Sequence, residues 1–198
     1  MWPHSNMNDV QRTRGALGRN PSLWVPRLLL WLLLGILGTA LAGCSTTPPD
    51  NVKVVTPFDL TRYLGQWYEI ARLDHSFERN MNRVTAHYSL NPDGSVKVLN
   101  RGFNTKEQAW DEAIGRAELT QGPDKGALKV SFFGPFYAGY FIVALDPDYQ
   151  WAMVVGPDLS YFWILAREPA LDPAIKTKLL AQARKLGVET DAIIWVEH

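Results

Sequence analysis

One carboxylate in this sequence lies on a face of a predicted strand that would otherwise be read as interior. Glu69 lies in residues 65–74, GQWYEIARLD, between Trp67 and Ala71. The alternation of a strand predicts two faces: Trp67, Glu69 and Ala71 on one, and Tyr68, Ile70 and Arg72 on the other. Exposure at a strand edge would explain Glu69 without any function. A polar group inside a binding cavity would explain it as part of a site.

The other reactive side chains of the sequence do not form a recognisable catalytic or metal-binding motif. Hydrolysis by a Ser-His-Asp arrangement needs a histidine near a nucleophile of the G-x-S-x-G kind, and His75, His87 and His198 are not beside one. The cysteine and histidine positions do not have the spacing of metal ligands. The sequence therefore predicts no catalytic residue, no metal and no cofactor. A lipid-modifying enzyme and a carrier of a tetrapyrrole held without coordination stay open as alternatives.

Residues 1–43 have the character of an export signal. Four arginines precede an uncharged apolar run at residues 28–42. This order is typical of a secretory signal peptide, whereas a membrane-spanning helix needs about 20 apolar residues. The sequence LAGC, which ends at Cys44, resembles the lipobox of bacterial lipoproteins, in which the cysteine becomes the lipidated first residue.

Cys44 is the only cysteine in the chain. Two or more acyl chains on it would give stable membrane attachment. Ser45 follows in place of an aspartate, which in bacterial lipoproteins implies export to the outer membrane, with the domain facing the periplasm. Residues 44–56 are polar with paired prolines, so we expect a lipidated N-terminus and a semi-extended tether.

The charge balance does not indicate a nucleic-acid partner. Residues 1–43 contain four of the 20 basic residues and one of the 20 acidic residues, which leaves 16 and 19, or a net charge of −3. Nucleic-acid binding would need a clustered basic surface.

Residues 57–198 predict one all-β domain. Turns rich in Asn, Pro, Asp and Gly separate segments of alternating polarity. The predicted strands are 67–73, 84–90, 96–103, 110–119, about 128–132, 139–145, 151–155 and 161–166. Because the links are hairpin-sized, an eight-stranded antiparallel up-and-down β-barrel is favoured over a sandwich, which would need Greek-key crossovers. Such a barrel can hold one small ligand.

An amphipathic α-helix is predicted after the barrel, at residues 173–186. Asp172 can cap its start and Gly187 can end it. The helix could bind a partner, but docking outside the barrel wall is favoured. A short final strand is expected at residues 193–196.

The order of the turns predicts which end of the barrel is open. Alternate turns of an up-and-down barrel lie at alternate ends. Trp67, the turn at 146–149 and Arg167 therefore share one end. The loops predicted at the opposite end, which is the mouth, are 74–83, 104–109, 133–138 and 156–160.

Three signatures in this order resemble those of the lipocalin family. They are Gly65-x-Trp67, a turn that contains Asp146 and Tyr149, and Arg167 directly after the eighth strand. The turn lacks the threonine of the family pattern. The segments YLGQWYEIAR, VSFFGPFYAGY and YFWILAR, behind a lipobox, are similar to the bacterial outer-membrane lipoprotein lipocalins, relatives of apolipoprotein D. The resemblance covers residues 57–198 and the export signal.

The resemblance implies a structural floor and a ligand site. Arg167 would stack on Trp67, so Gly65, Trp67, Asp146, Tyr149 and Arg167 would be the structural floor of the barrel. The family pattern puts Tyr137, at the mouth, and Trp163 at the acyl-chain site. We expect Tyr161 and Leu165 to point inward with Trp163, and Glu69 to be a polar group beside the ligand. The implied ligands are fatty acids or lysophospholipids, and a homodimer stays open.

Overall fold

The computed structural model describes residues 45–198, so the predicted signal peptide at 1–43 and Cys44 lie outside the described residues. A short helix, α1 (Leu60–Tyr63), precedes the barrel. The barrel strands are β1 (Gly65–Arg72), β2 (Met81–Leu90), β3 (Val96–Asn104), β4 (Ala109–Leu119), β5 (Ala127–Phe133), β6 (Phe136–Leu145), β7 (Trp151–Val155) and β8 (Phe162–Ala166). A second helix, α2 (Pro173–Leu186), a 3-10 turn (Thr190–Ala192) and a short strand, β9 (Ile194–Trp195), follow.

Strand pairing closes the sheet on itself. Each strand from β1 to β8 pairs with the next in antiparallel register, and β1 also pairs with β8. The first half of β1 pairs with β2, and its second half pairs with β9 at Ala71 and Arg72. This closed up-and-down barrel confirms the predicted fold.

Apolar residues form one cluster inside the barrel wall and one outside it. The inner cluster includes Trp67, Val98, Ile142, Val154 and Leu165. The outer cluster, which lies between the wall and α2, includes Phe141, Met153, Ile164, Leu179 and Ala183. Neighbouring residues of β6, β7 and β8 therefore face opposite sides of the wall, as strand geometry requires.

Helix α2 has the predicted ends and the predicted position. The Asp172 carboxylate accepts hydrogen bonds from the amides of Ala174 and Ile175 at 2.7 and 3.4 Å. Gly187 ends the helix with a left-handed φ of 92°. Leu179 and Ala183 are fully buried, so docking on the barrel wall is confirmed.

Residues 45–57 pack against the barrel. The sequence predicts a semi-extended tether here and does not predict this contact. The Val55 amide donates to the Ile142 carbonyl at 2.9 Å, and the Val55 carbonyl accepts from the Gly126 amide at 3.0 Å. Val52 and Val54 pack on the outer cluster. Backbone hydrogen bonds and partly buried valines therefore hold this segment against the barrel wall.

Candidate functional site

The closed end of the barrel is built around Trp67 and Arg167. Trp67 is fully buried, and its indole N–H donates to the Tyr63 carbonyl at 2.8 Å. The Arg167 guanidinium carbon lies 3.9 Å from the centroid of the Trp67 ring. The guanidinium also donates, at 2.7–3.3 Å, to the carbonyls of Arg62, Leu64, Gln66 and Tyr149. One side chain thus connects α1, β1 and the turn before β7.

The other predicted floor residues support this contact. Gly65 has a φ of 91°, and a Cβ there would lie 3.4 Å from Arg167 Nη1. The positive φ favours glycine, and an added Cβ would be in ordinary contact with the guanidinium. The Tyr149 hydroxyl accepts a hydrogen bond of 2.8 Å from the Asp59 amide. The Asp146 carboxylate accepts from two amides within its own turn, at 3.0 and 3.3 Å.

Three tyrosines that are far apart in the sequence meet above the floor; Tyr63 and Tyr88 are buried and Tyr140 is partly buried. The Tyr140 hydroxyl shares hydrogen bonds of 2.7 Å with Tyr63 and 3.0 Å with Tyr88. Burial raises the pKa of Tyr88 to about 12 and those of Tyr63 and Tyr140 well above the usual value. The interior therefore contains a neutral hydroxyl cluster next to apolar side chains.

A β-bulge in β1 places Glu69 and Arg72 on the same, inner face. Glu69 pairs with Leu165 and Ala71 with Ile164, and the register shifts between them. Ile70 and Ala71 consequently both belong to the outer cluster. The expected grouping of Ala71 with Glu69, and of Arg72 with Ile70, was therefore wrong, because strict alternation fails at a bulge.

The bulge gives the Glu69 carboxylate a cationic partner. Arg72 Nη1 donates to Glu69 Oε1 at 2.8 Å, and both side chains are almost fully buried. Arg72 Nη2 also donates to the carbonyls of Glu78 and Met81, at 2.9 and 3.0 Å. Arg72 thus connects the inner face of β1 to the loop that begins β2.

A second carboxylate, Glu78, completes a polar cluster with Glu69 and Arg72. Burial, and to a lesser extent the Glu78 charge, raise the pKa of Glu69 to about 8, against the opposing effect of Arg72. Burial also raises the pKa of Glu78. Two carboxyl groups therefore lie near one guanidinium in a poorly solvated place, and only Glu69 forms an ion pair with it. This arrangement favours the retention of a proton.

Aromatic side chains from the mouth surround this polar cluster. The Trp163 indole donates to Glu78 Oε2 at 3.1 Å. The His75 ring stacks on Tyr161 with 4.4 Å between centroids and on Phe77 with 5.3 Å. His75 is buried, and this burial lowers its pKa. At neutral pH the imidazole is therefore an uncharged part of an aromatic stack.

The five predicted ligand residues lie in the interior or at its mouth, but Tyr137 is on the outer side of the wall. Leu165 and Trp163 pack in the inner cluster, on the same face as Glu69. Tyr161 belongs to the aromatic stack. Tyr137 lies 4.7 Å from the Lys129 ammonium, and strand alternation from Tyr140 puts it on the outer face. Tyr137 is thus at the mouth, with its ring on the outer side of the wall, and its role at the acyl-chain site stays a prediction.

Three buried polar atoms, on β1, on β3 and in the first mouth loop, have no hydrogen-bond partner among the described residues. They are Arg72 Nε, His75 Nε2 and Asn100 Oδ1. Asn100 shares its face of β3 with Val96 and Val98 of the inner cluster, and it pairs with Ala86. Unpaired buried polar groups are costly, so these atoms are candidate contacts for a polar ligand group.

The described part of the chain shows neither a metal centre nor a membrane-spanning helix. Among residues 45–198, no three His, Cys, Asp or Glu side chains are grouped so that they could hold a metal ion. Over the same residues, no helix is both long and apolar enough to cross a bilayer.

Comparison with known proteins identifies the family. A family model described as a lipocalin-like domain matches residues 58–198. The chain is 50% identical over 157 residues to outer membrane lipoprotein Blc of Citrobacter freundii, which covers 79% of this chain and 89% of the relative. It is 47% identical over 173 residues to outer membrane lipoprotein Blc of Escherichia coli strain K12, with 87% and 98% covered.

Two further matches are more distant. Rat (Rattus norvegicus) apolipoprotein D is 33% identical over 166 residues, which cover 77% of this chain and 84% of the relative. Among solved structures, the cockroach allergen Per a 4 superposes with a TM-score of 0.61 at 21% identity, over 77% of this chain and 96% of that one, and supports the fold alone. The chain is thus a member of the lipocalin family and an outer membrane lipoprotein.

Proposed function

We propose that this lipocalin binds lipids with one acyl chain, fatty acids or lysophospholipids, inside its barrel. It would carry or store them for the maintenance of the envelope under stress. Lipocalins bind hydrophobic ligands and are not typical enzymes. The proposal rests on one observation: the interior has an apolar wall above a closed floor and ends in a charged cluster near the mouth.

This distribution of polarity matches a lipid that enters tail first. The chain would contact the inner cluster, and the head group would lie near Glu69, Arg72 and Glu78. Burial of about ten methylenes contributes roughly 8 kcal/mol. Association costs about 4–15 kcal/mol, so with head-group contacts we expect a Kd on the order of 1 μM.

Above about pH 8, where Glu69 is ionised, the charges of the cluster favour a lysophospholipid over an ionised fatty acid. Two carboxyl groups face one guanidinium, and a fatty carboxylate would add another negative charge. A zwitterionic head group brings a phosphate and also a cationic amine. Arg72 Nε is a free donor for the phosphate, and Asn100 Oδ1 is a free acceptor for a glycerol hydroxyl.

Competition binding tests the ligand class. A fluorescent fatty acid bound to the lipidated protein would be displaced by lysophosphatidylethanolamine or by palmitate, at pH 6 and at pH 8.5. At pH 8.5 we expect lysophosphatidylethanolamine to have a lower Kd than palmitate. The ratio of the two Kd values should be closer to one at pH 6, where Glu69 is protonated and a fatty carboxylate meets less negative charge.

A matched pair of variants connects the preference to the cluster. Glu69→Gln should reduce the preference at pH 8.5, whereas Glu112→Gln, at an exposed carboxylate on β4, should leave it unchanged.

Native mass spectrometry after organic extraction identifies what the protein carries. Recovery of a stoichiometric tetrapyrrole, or equal affinity for both lipids at both pH values, would contradict the proposal.

A further inference from the structure

The segment before the barrel is held against β6 as far as its first described residue. The Ser45 carbonyl accepts a hydrogen bond of 2.9 Å from the Gly139 amide. Pairing of β6 with β7 ends at Phe141, so Gly139 lies on the mouth side of that pairing. The described segment therefore begins at the mouth end of the barrel wall, and Ser45, its first residue, directly follows Cys44 in the sequence.

The same end presents exposed aromatic side chains. Phe133 is 83% exposed and Phe136 is 67% exposed, at the turn that joins β5 to β6. This turn belongs to an uncharged stretch, residues 130–137. With a rise of about 3.3 Å per strand residue, Phe136 lies roughly 10 Å along β6 from Gly139. Exposed apolar groups of this kind mark contact surfaces.

The opposite end of the barrel has a different surface. Its turns expose carboxylates, which are Asp93, Asp124 and Asp148. Charged groups enter the apolar part of a bilayer only at high cost. The mouth also exposes charged side chains in its other loops, which are Asp74, Arg79, Lys106, Glu107 and Asp158. The apolar contact is therefore limited to the turn between β5 and β6, and the N-terminal segment leads to the end that carries this turn.

We propose that the mouth of the barrel rests on the membrane, with the acyl chains on Cys44 and the side chains of Phe133 and Phe136 in the same lipid leaflet. The inference rests on the proposed lipid binding and on lipidation of Cys44. It adds a route: a lipid can pass between the leaflet and the interior without crossing water. The docked segment fixes this orientation, which a free tether would not.

Fluorescence quenching in vesicles measures the orientation. Since the only native cysteine, Cys44, is acylated, Phe136→Cys supplies one free thiol for an environment-sensitive fluorophore. The lipidated protein would be placed in phosphatidylethanolamine–phosphatidylglycerol vesicles that contain doxyl lipids. We expect quenching at position 136 to be several-fold stronger than at Asp148→Cys, the matched label at the closed end.

Three outcomes would overturn the inference. The first is equal or reversed quenching at the two positions. The second is quenching at position 136 that depends on protein density, since a second copy would then cover the phenylalanines. The third is a mass spectrum of the membrane-extracted protein in which Cys44 carries no acyl chain.

Transfer kinetics separate this inference from the proposed function. Phe133→Ser with Phe136→Ser should slow the uptake of lysophosphatidylethanolamine from vesicles, on the order of tenfold per phenylalanine. Equilibrium affinity for the monomeric lipid should stay unchanged. Ile114→Ser is the matched control, because Ile114 is 62% exposed on β4. Normal affinity with unchanged uptake would overturn the membrane contact, whereas absent affinity in the wild type would overturn the proposed function.

Discussion

Replacement of Arg167 by alanine tests whether the closed end of the barrel depends on a single guanidinium. The variant loses the contact with the Trp67 ring at 3.9 Å and donors to four carbonyls. The carbonyls of Arg62 and Gln66 are in exposed contacts and can regain water. Those of Leu64 and Tyr149 are partly buried and would lose a partner.

The expected cost follows from these contacts. Each partly buried hydrogen bond contributes about 1 kcal/mol, and the cation–π contact contributes about 1 kcal/mol. We therefore expect Arg167→Ala to lower the free energy of unfolding by about 3 kcal/mol. With an unfolding entropy of about 2.1 cal/mol/K per residue, the Tm of this domain should fall by roughly 10 °C.

Thermal unfolding followed by circular dichroism measures the loss, and Arg101→Ala is its control. Arg101 also lies over an indole, 4.1 Å from the Trp110 centroid, and it contacts Glu112 at 3.4 Å. The Arg101 side chain is about half exposed, and these two contacts are both with other side chains. Its removal should therefore lower the free energy of unfolding by less than about 1 kcal/mol. Equal Tm values for the two variants would refute the structural role of Arg167.

Three further predictions concern single side chains. Folding raises the pKa of Glu69 from 4.5 to about 8, so the stability that this group contributes is complete below about pH 4.5 and is lost as the pH rises to 8. In urea titrations at several pH values, Glu69→Gln should make this decline in the free energy of unfolding smaller. Asp172→Ala removes the acceptor of two amides and should cost about 1 kcal/mol in the same titrations. Asn100→Leu removes an unpaired acceptor, so its Tm should hold or rise while lysophospholipid affinity falls.

The strands, turns and helix were predictable because their signals are local. Alternation and turns such as Asn91-Pro92-Asp93-Gly94 marked the strands to within about three residues. The largest differences are at β2, which begins at Met81, and β6, which begins at Phe136. In both places the strand continues into a stretch that the sequence assigned to a loop.

The site was less predictable because its contacts depend on register. The Glu69–Arg72 ion pair needs a bulge that is set by pairing with β8, and isolated alternation puts the two residues on opposite faces. The family pattern assigned Tyr137 to the ligand site. Its side chain lies on the outer face because β6 begins at Phe136, which makes Tyr137 part of the alternating strand. The hydroxyl cluster joins positions up to 77 residues apart, and such contacts appear only once the barrel closes.

Strand β1 therefore has two functions that meet at its bulge. Before the bulge, Trp67 forms the floor with Arg167. After it, Arg72 pairs with Glu69 and donates to two carbonyls of the loop at the mouth. A head group that took up the free Nε of Arg72 would contact the side chain that also anchors this loop.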